Sequence, residues 1–414
     1  MTDLLGQPFL FRRPGLASGY ADALMGLTPF DRSSGLFLAA PRRTGKTTFM
    51  QGDLLVELRG RGVVTAYADL WADRQRDPAA LIADALRDTL RGLDGPGAAA
   101  LRRSGLTKLG IGNWLSFDIA RIGTPEGATL TDALRAIADR AGQPVALVID
   151  EAQHALTTQA GVDAMFALKA ARDALNGTSV QGGAQDRTQR GTRLLLVLTG
   201  SHRDKLANLV LRRDQPFFGA EVSDFPRLGR GFSDAYTAWL NERLAPDNRF
   251  DAGDVWTAFS AVGERPELLR KVLEAAALGE GKAASLGAAL EGGALALRQR
   301  VWDEFEGEWG SLSPLQRAVL ARVAASGADF VPFSAGALAA YAAAAGREVG
   351  ASDAQNALDA LRQRNLVWRS ARATYAIEDQ ELGAWLASRQ ATDQPGPGNP
   401  SEVTQLPAEP SPRR

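Results

Sequence analysis

Four short apolar runs separated by helical stretches constrain the first half of this chain more than any other feature. Gly35–Ala40, Val63–Ala68, Val145–Ile149 and Leu194–Leu198 have strand length and are rich in apolar and β-branched residues. That is the composition of strands buried on both faces. Between them Pro78–Arg91, Leu130–Arg140 and Gly161–Leu175 carry helical periodicity. Strand and helix in alternation predict a parallel sheet with helices on both sides, an α/β fold.

Two stretches interrupt the rhythm. Residues 92–127 are Gly-rich with Pro96 and Pro125 and predict an irregular insertion holding a short helix near Asn113–Ile122, and 176–192 reads as a polar surface loop. Beyond about residue 230, Ala/Leu-rich helices replace the strands. From Ser311 a capped helix (Ser313–Ala325), a second (Ser334–Ala345), a third (Ser352–Asn365) and a hairpin (Leu366–Ile377) follow one another, the layout of a winged helix, with Leu338, Tyr341, Val367, Trp368 and Ile377 as its core. The last 24 residues hold six prolines and predict a disordered tail. The expected organisation is therefore an α/β domain over 1–230, a helical lid over 231–305, a winged helix over 306–390 and a tail over 391–414.

Composition narrows the chemistry. With 47 Lys and Arg against 48 Asp and Glu, the net charge of −1 supplies no overall basic field for nucleic acid or anionic lipid. The absence of Cys excludes disulfides, thiolate metal sites and cysteine nucleophiles together. His154 and His202 are the only histidines; two lone imidazoles form no ligand cluster and are better read as structural. No run of 18 apolar residues and no secretory leader pattern is present, so a soluble, cytoplasmic protein without a membrane partner is expected.

Where the first strand ends, the chain reads Ala40-Pro41-Arg42-Arg43-Thr44-Gly45-Lys46-Thr47-Thr48. A phosphate-binding loop needs inward backbone N–H groups, a glycine for close approach, a lysine for the β and γ oxygens and a hydroxyl for Mg²⁺. Gly45, Lys46 and Thr47 meet those needs. Ala40 stands where the first glycine is usual, which is tolerable if its φ stays negative. A hundred residues on, Val145–Ile149 runs into Asp150-Glu151-Ala152-Gln153. A carboxylate pair at the end of a buried strand suits Asp150 to the Mg²⁺ shell beside Thr47 and Glu151 to orienting and deprotonating a water.

These motifs, with Leu196-Val-Leu-Thr-Gly-Ser201 at a third strand end, resemble the P-loop ATPases of the AAA+ class. The resemblance covers about residues 5–300 and points to the clade of origin-recognition initiators, transposition target-selection ATPases, secretion-associated Asp-Glu-Ala-Gln ATPases and archaeal STAND-like ATPases. It implies Mg²⁺-dependent ATP hydrolysis. It also implies a sensor at Thr199 or Ser201, an arginine finger for a homo-oligomer at Arg212 or Arg213, and a second sensor at Arg265 or Arg270. By the same resemblance the Phe9-Leu-Phe-Arg-Arg-Pro14 segment would cover the adenine.

The C-terminal part divides the functional readings. Arg362, Arg364, Arg369 and Arg372 have no acid among them and form a candidate patch for double-stranded DNA, although residues 311–390 as a whole hold eight Arg against seven acids. A DNA-associated ATPase is one reading. The alternative is a STAND-like nucleotide switch acting on a protein partner, with the winged helix as a packing module. A small-molecule P-loop kinase fits the acidic pair and the large helical half less well.

Overall fold

The computed structural model describes residues 9–29, 32, 34–94, 129–177, 193–278, 286–369 and 374–393. Most of the predicted insertion, most of the predicted polar loop, the tail beyond 393 and Arg372 lie outside these residues.

The chain enters through α1 (Pro14–Leu24) and β1 (Leu36–Ala39), and after the phosphate-loop motif forms α2 (Lys46–Phe49), a π turn (Met50–Leu54) and α3 (Leu55–Gly60). Then come β2 (Val64–Asp69), α4 (Pro78–Asp94), α5 (Leu130–Ala141), β3 (Val145–Asp150), α6 (Gln159–Gly177), β4 (Leu194–Gly200), the short α7 (Arg203–Ala207) and β5 (Val222–Asp224). The strands form one parallel sheet in the order β2-β3-β4-β1-β5. β5 carries no apolar run, and its three residues take strand form only by pairing with the outer edge of β1.

Alternation along the strands sorts the core into two layers. Phe37, Val145, Leu147, Ile149, Leu194, Leu196 and Leu198 pack under α4, α5 and α6. Leu36, Leu38, Ala146, Val148, Leu195 and Val197 face the other way, against α1 and the Met50–Leu58 segment. Each such Leu, Ile or Val withdraws from water a side chain worth about 1.5–3 kcal/mol. Both faces being covered is why Leu36–Ala39, Val145–Ile149 and Leu194–Leu198 are apolar throughout, whereas β2, at the sheet edge, is only partly buried and keeps Thr65 and Tyr67.

Four helices follow, α8 (Gly229–Asn241), α9 (Ala252–Ala261), α10 (Pro266–Leu278) and α11 (Leu286–Gly310), around a core of Phe232, Val255, Phe259, Leu269, Val272 and Leu290. Phe9 and Phe11 insert their rings into this core beside Phe232, Tyr236 and Trp239.

The C-terminal part has its own core of Val319, Tyr341, Leu358, Leu361, Val367 and Trp385. It comprises α12 (Pro314–Ser326), α13 (Ala335–Ala345), α14 (Ala351–Gln363), the antiparallel pair β6 (Val367–Arg369) and β7 (Tyr375–Ile377), and α15 (Gln380–Asp393). Ser313 and Gln316 cap α12 reciprocally, as their spacing predicts. The closing helix α15 has no counterpart in the expected layout, and it carries helical chain slightly past residue 390. Trp368 is a second correction: instead of joining the core it is half-buried, with the Arg203 guanidinium 4.4 Å over its ring. Among the described residues no helix is long and apolar enough to cross a membrane.

Candidate active site

β1 pairs with β4 so that Ala39 is level with Gly200, and the Ala40 N–H continues the ladder to the Gly200 carbonyl at 3.1 Å. Ala40 is not among the positive-φ residues, so its methyl meets no left-handed penalty, and it is buried in the layer beneath the sheet. The loop turns through two left-handed residues, Arg43 at φ 68° and Gly45 at φ 83°, the second opening α2. Thr44 Oγ1 donates to the Pro41 carbonyl at 2.9 Å across the turn. Arg43 pairs with Glu267 at 2.9 Å, joining the loop to α10, while Thr48 is exposed.

Strand register assembles the acidic end. β4 lies between β1 and β3, and Ile149 is level with Leu198. The next residues along, Asp150 and Thr199, are therefore neighbours, and Thr199 Oγ1 donates to Asp150 Oδ1. Asp150 Oδ2 accepts Thr47 Oγ1 at 2.6 Å and the Tyr67 hydroxyl at 3.1 Å. Lys46, 6% exposed, holds its Nζ 3.1 Å from Asp150 Oδ1 and 3.2 Å from Glu151 Oε1. Glu151 leaves the strand in the left-handed region, at φ 54°, a conformation that costs a non-glycine residue about 1–3 kcal/mol. Its Oε2 accepts Ser201 Oγ at 2.7 Å, the Ser201 N–H at 3.3 Å and Gln153 Nε2.

Burial pushes both carboxyls up. The Lys46 charge, with hydrogen bonds from Thr199 and Thr47 at Asp150 and from Ser201 and Gln153 at Glu151, outweighs it and holds each below the usual carboxylate range. Both are ionised at neutral pH. Burial, aided by Lys205 and Arg42, pushes His202 down to about 4, and burial also lowers His154. His202 stands at the start of α7 without capping it through its side chain, and the His154 ring lies tilted against Trp71, centroids 4.3 Å apart.

A cavity of about 430 Å³ opens in front of the loop, walled by Pro41, Arg42, Arg43, Ser201, His202 and Arg265, and closed by Arg364, Glu378 and Asp379 from the C-terminal part. Of the two second-sensor candidates, Arg265 lines this cavity and is paired with Asp379 at 2.8 Å. Arg270 is exposed and pairs with Glu274 on its own helix at 2.7 Å. Arg212 and Arg213 are exposed, the former paired with Asp214 at 2.9 Å.

Of the described members of the acid-free arginine run, Arg362 is ion-paired with Asp204 at 2.8 Å and Arg364 with Glu308 at 2.6 Å, while Arg369 is held through its backbone N–H, which donates to Asp204 at 3.1 Å. Acids distant in sequence supply what the local run lacks. Sequence reasoning assigns no role to Gln153, Tyr67, Asp204 or Glu378, and of these only Gln153 sits inside a motif that could have singled it out.

No family model matches the chain, and no curated protein matches it in sequence. Solved structures match it in fold. A Walker-type ATPase of Pyrococcus abyssi is 17% identical, with 91% of this chain and 96% of that one covered at a TM-score of 0.51. The ADP form of the ORC2 protein of Aeropyrum pernix is 15% identical, with 94% and 97% covered at a TM-score of 0.50. Together with the sheet order and the loop geometry, the likeness identifies the fold as the P-loop NTPase α/β fold.

Proposed function

We propose that the chain binds ATP with Mg²⁺, hydrolyses it to ADP and phosphate, and uses nucleotide state to dock and release its C-terminal helices. The observation that carries this is the Lys46 amine set between two ionised carboxylates, with Thr47 on the first of them. Lys46 and the backbone N–H groups of Thr44 to Thr48 receive the phosphates, with Ala40 to Arg43 completing the loop around them. Phosphate oxygens draw Nζ off Asp150 and Glu151, and Glu151 is left to take the proton of a water attacking the γ-phosphorus as the bond to the β–γ bridging oxygen breaks. Thr199 orients Asp150, Ser201 contacts Glu151, and Arg265 is the second-sensor candidate that the cavity favours over Arg270.

The site suits a hard cation. Thr47 Oγ1 and Asp150 Oδ2, 2.6 Å apart, would hold Mg²⁺ with the phosphates and water as its other ligands. The metal would neutralise charge developing on the phosphoryl oxygens. Among the described residues no three His, Asp or Glu side chains gather into a metal site.

The partner reading follows the docked arginines. We take 1–230, 231–305 and 306–390 as the working units, and duplex DNA as the ligand of Arg362, Arg364, Arg369 and Arg372 once the last unit is released. Arg212 or Arg213 would serve a neighbouring protomer in an assembled form. The contacts of Arg362, Arg369 and Glu378 with the α/β body favour a second reading, a nucleotide switch that presents the released unit to a protein. Size-exclusion with light scattering on Glu151→Gln, with ADP, with ATP and Mg²⁺, and with added duplex, separates the two. Co-elution with duplex in ATP alone supports the first; ATP-dependent change of shape without duplex supports the second; no response to ATP counts against both.

A further inference from the structure

Gln153 is a buried amide, 5% exposed, whose Nε2 donates to Glu151 Oε2 and, at 3.4 Å, approaches Ser201 Oγ. Its Oε1 is buried without a hydrogen-bond partner. An orphaned buried carbonyl is costly, and turning the amide over would set that carbonyl against a carboxylate, which is worse. The amide is thus oriented by Glu151 and accepts an unsatisfied atom to stay there.

Gly200 is an independent sign of the same arrangement. Its backbone carries no left-handed φ that would demand glycine, yet a Cβ built there lies 2.5 Å from Gln153 Oε1. The last residue of β4 is glycine where the amide needs the room.

We propose that Gln153 is a positioning residue for Glu151, a reading that rests on Glu151 being the base. Lys46 grips Glu151 Oε1, but it is the group that must turn to the phosphates when nucleotide binds. What then keeps this carboxylate in place, on a strained left-handed residue, is the pair of donors on Oε2, Ser201 and Gln153. The amide anchors one oxygen so that the other faces the water. Its contribution is to turnover and not to nucleotide affinity.

The test is steady-state ATP hydrolysis and equilibrium binding of a fluorescent ATP analogue by Gln153→Met, Gly200→Ala and the double variant. Gln153→Met keeps the length and loses the donor; Gly200→Ala leaves the donor and displaces it. A misplaced base lowers kcat by about 10- to 100-fold, with the dissociation constant for nucleotide held within about twofold. Gly200→Ala moves kcat the same way, and the double variant is no slower than Gln153→Met, because both act on one contact. An unchanged kcat in Gln153→Met, or losses that multiply in the double variant, would overturn the proposal. So would binding that weakens as much as turnover falls. If Gln153→Met does not fold, Gly200→Ala carries the same comparison alone. Failure of the wild type to hydrolyse ATP would instead remove the base assignment on which the proposal stands.

Discussion

Arg362 Nε lies 2.8 Å from Asp204 Oδ1, a pair closed across 158 residues of chain. Asp204 sits in the first turn of α7, just beyond the end of β4, where Thr199 donates to Asp150 and Ser201 to Glu151. Asp204 also accepts the Arg369 N–H at 3.1 Å, and the N–H groups of Arg203 and Asp204 donate to Glu378. The strand end that touches both site carboxylates is thereby tied, through one short helix, to the C-terminal helices and hairpin.

Breaking that pair should be felt in stability. Asp204 is 4% exposed, so Arg362→Ala leaves a buried carboxylate without its counter-charge, held by the Arg369 N–H, and should cost about 1.5–3 kcal/mol of docking or folding stability. Denaturant midpoints of Arg362→Ala, Asp204→Ala and the double variant check it. The two losses should fall short of adding, and strict additivity would mean the pair does not interact.

Docking should also respond to pH. Burial pushes the Glu378 carboxyl up to about 7, although the N–H groups of Arg203 and Asp204 and the Arg203 charge pull it down and Asp204 raises it. A carboxyl whose pKa is higher when docked than when released binds its proton more tightly when docked. Its contribution to docking is full below the ordinary Glu range, and is lost as pH rises through about 7. Small-angle scattering should therefore find a more extended particle at pH 8 than at pH 6, and Glu378→Gln should remove the difference. A pH response unchanged in Glu378→Gln would assign the effect elsewhere.

The sheet and the phosphate loop are legible in the sequence because their causes are local. Apolar runs of strand length specify β1 to β4, and Gly45, Lys46 and Thr47 specify a turn into a helix. β5 is not legible, since Val222–Asp224 becomes a strand only against β1. The contacts of Thr199 with Asp150 and of Ser201 with Glu151 follow from a register between β3 and β4 that no single run encodes. The acids opposite Arg362 and Arg364 are hidden for the same reason: Asp204 and Glu308 are far away in sequence and close only in the fold.

How Asp150 is held can be tested through the metal requirement. Thr199 is fully buried and donates to Asp150, so Thr199→Val keeps the volume and removes the donor. The Mg²⁺ concentration for half-maximal ATPase activity should rise by about 10- to 100-fold, as for other residues that orient a metal ligand. An unchanged Mg²⁺ requirement would detach Thr199 from the metal.

Duplex binding should depend on nucleotide. Arg362 is paired with Asp204 of the α/β body, so its phosphate contact should form only in the released state. Glu151→Gln should bind duplex more tightly with ATP than with ADP. Arg362→Ala should lower the slope of log affinity against log salt by about 1. Equal affinity in both nucleotides, with no salt slope, would leave the protein-partner reading.

In the proposed mechanism Lys46 receives the phosphates and Glu151 activates the water. Measuring ATP binding and single-turnover hydrolysis on Lys46→Ala and Glu151→Gln side by side tests this division of labour most directly. Lys46→Ala should lose nucleotide binding, while Glu151→Gln should bind ATP as the wild type does and fail to turn it over. Hydrolysis at the wild-type rate by Glu151→Gln, or full ATP affinity in Lys46→Ala, would contradict it.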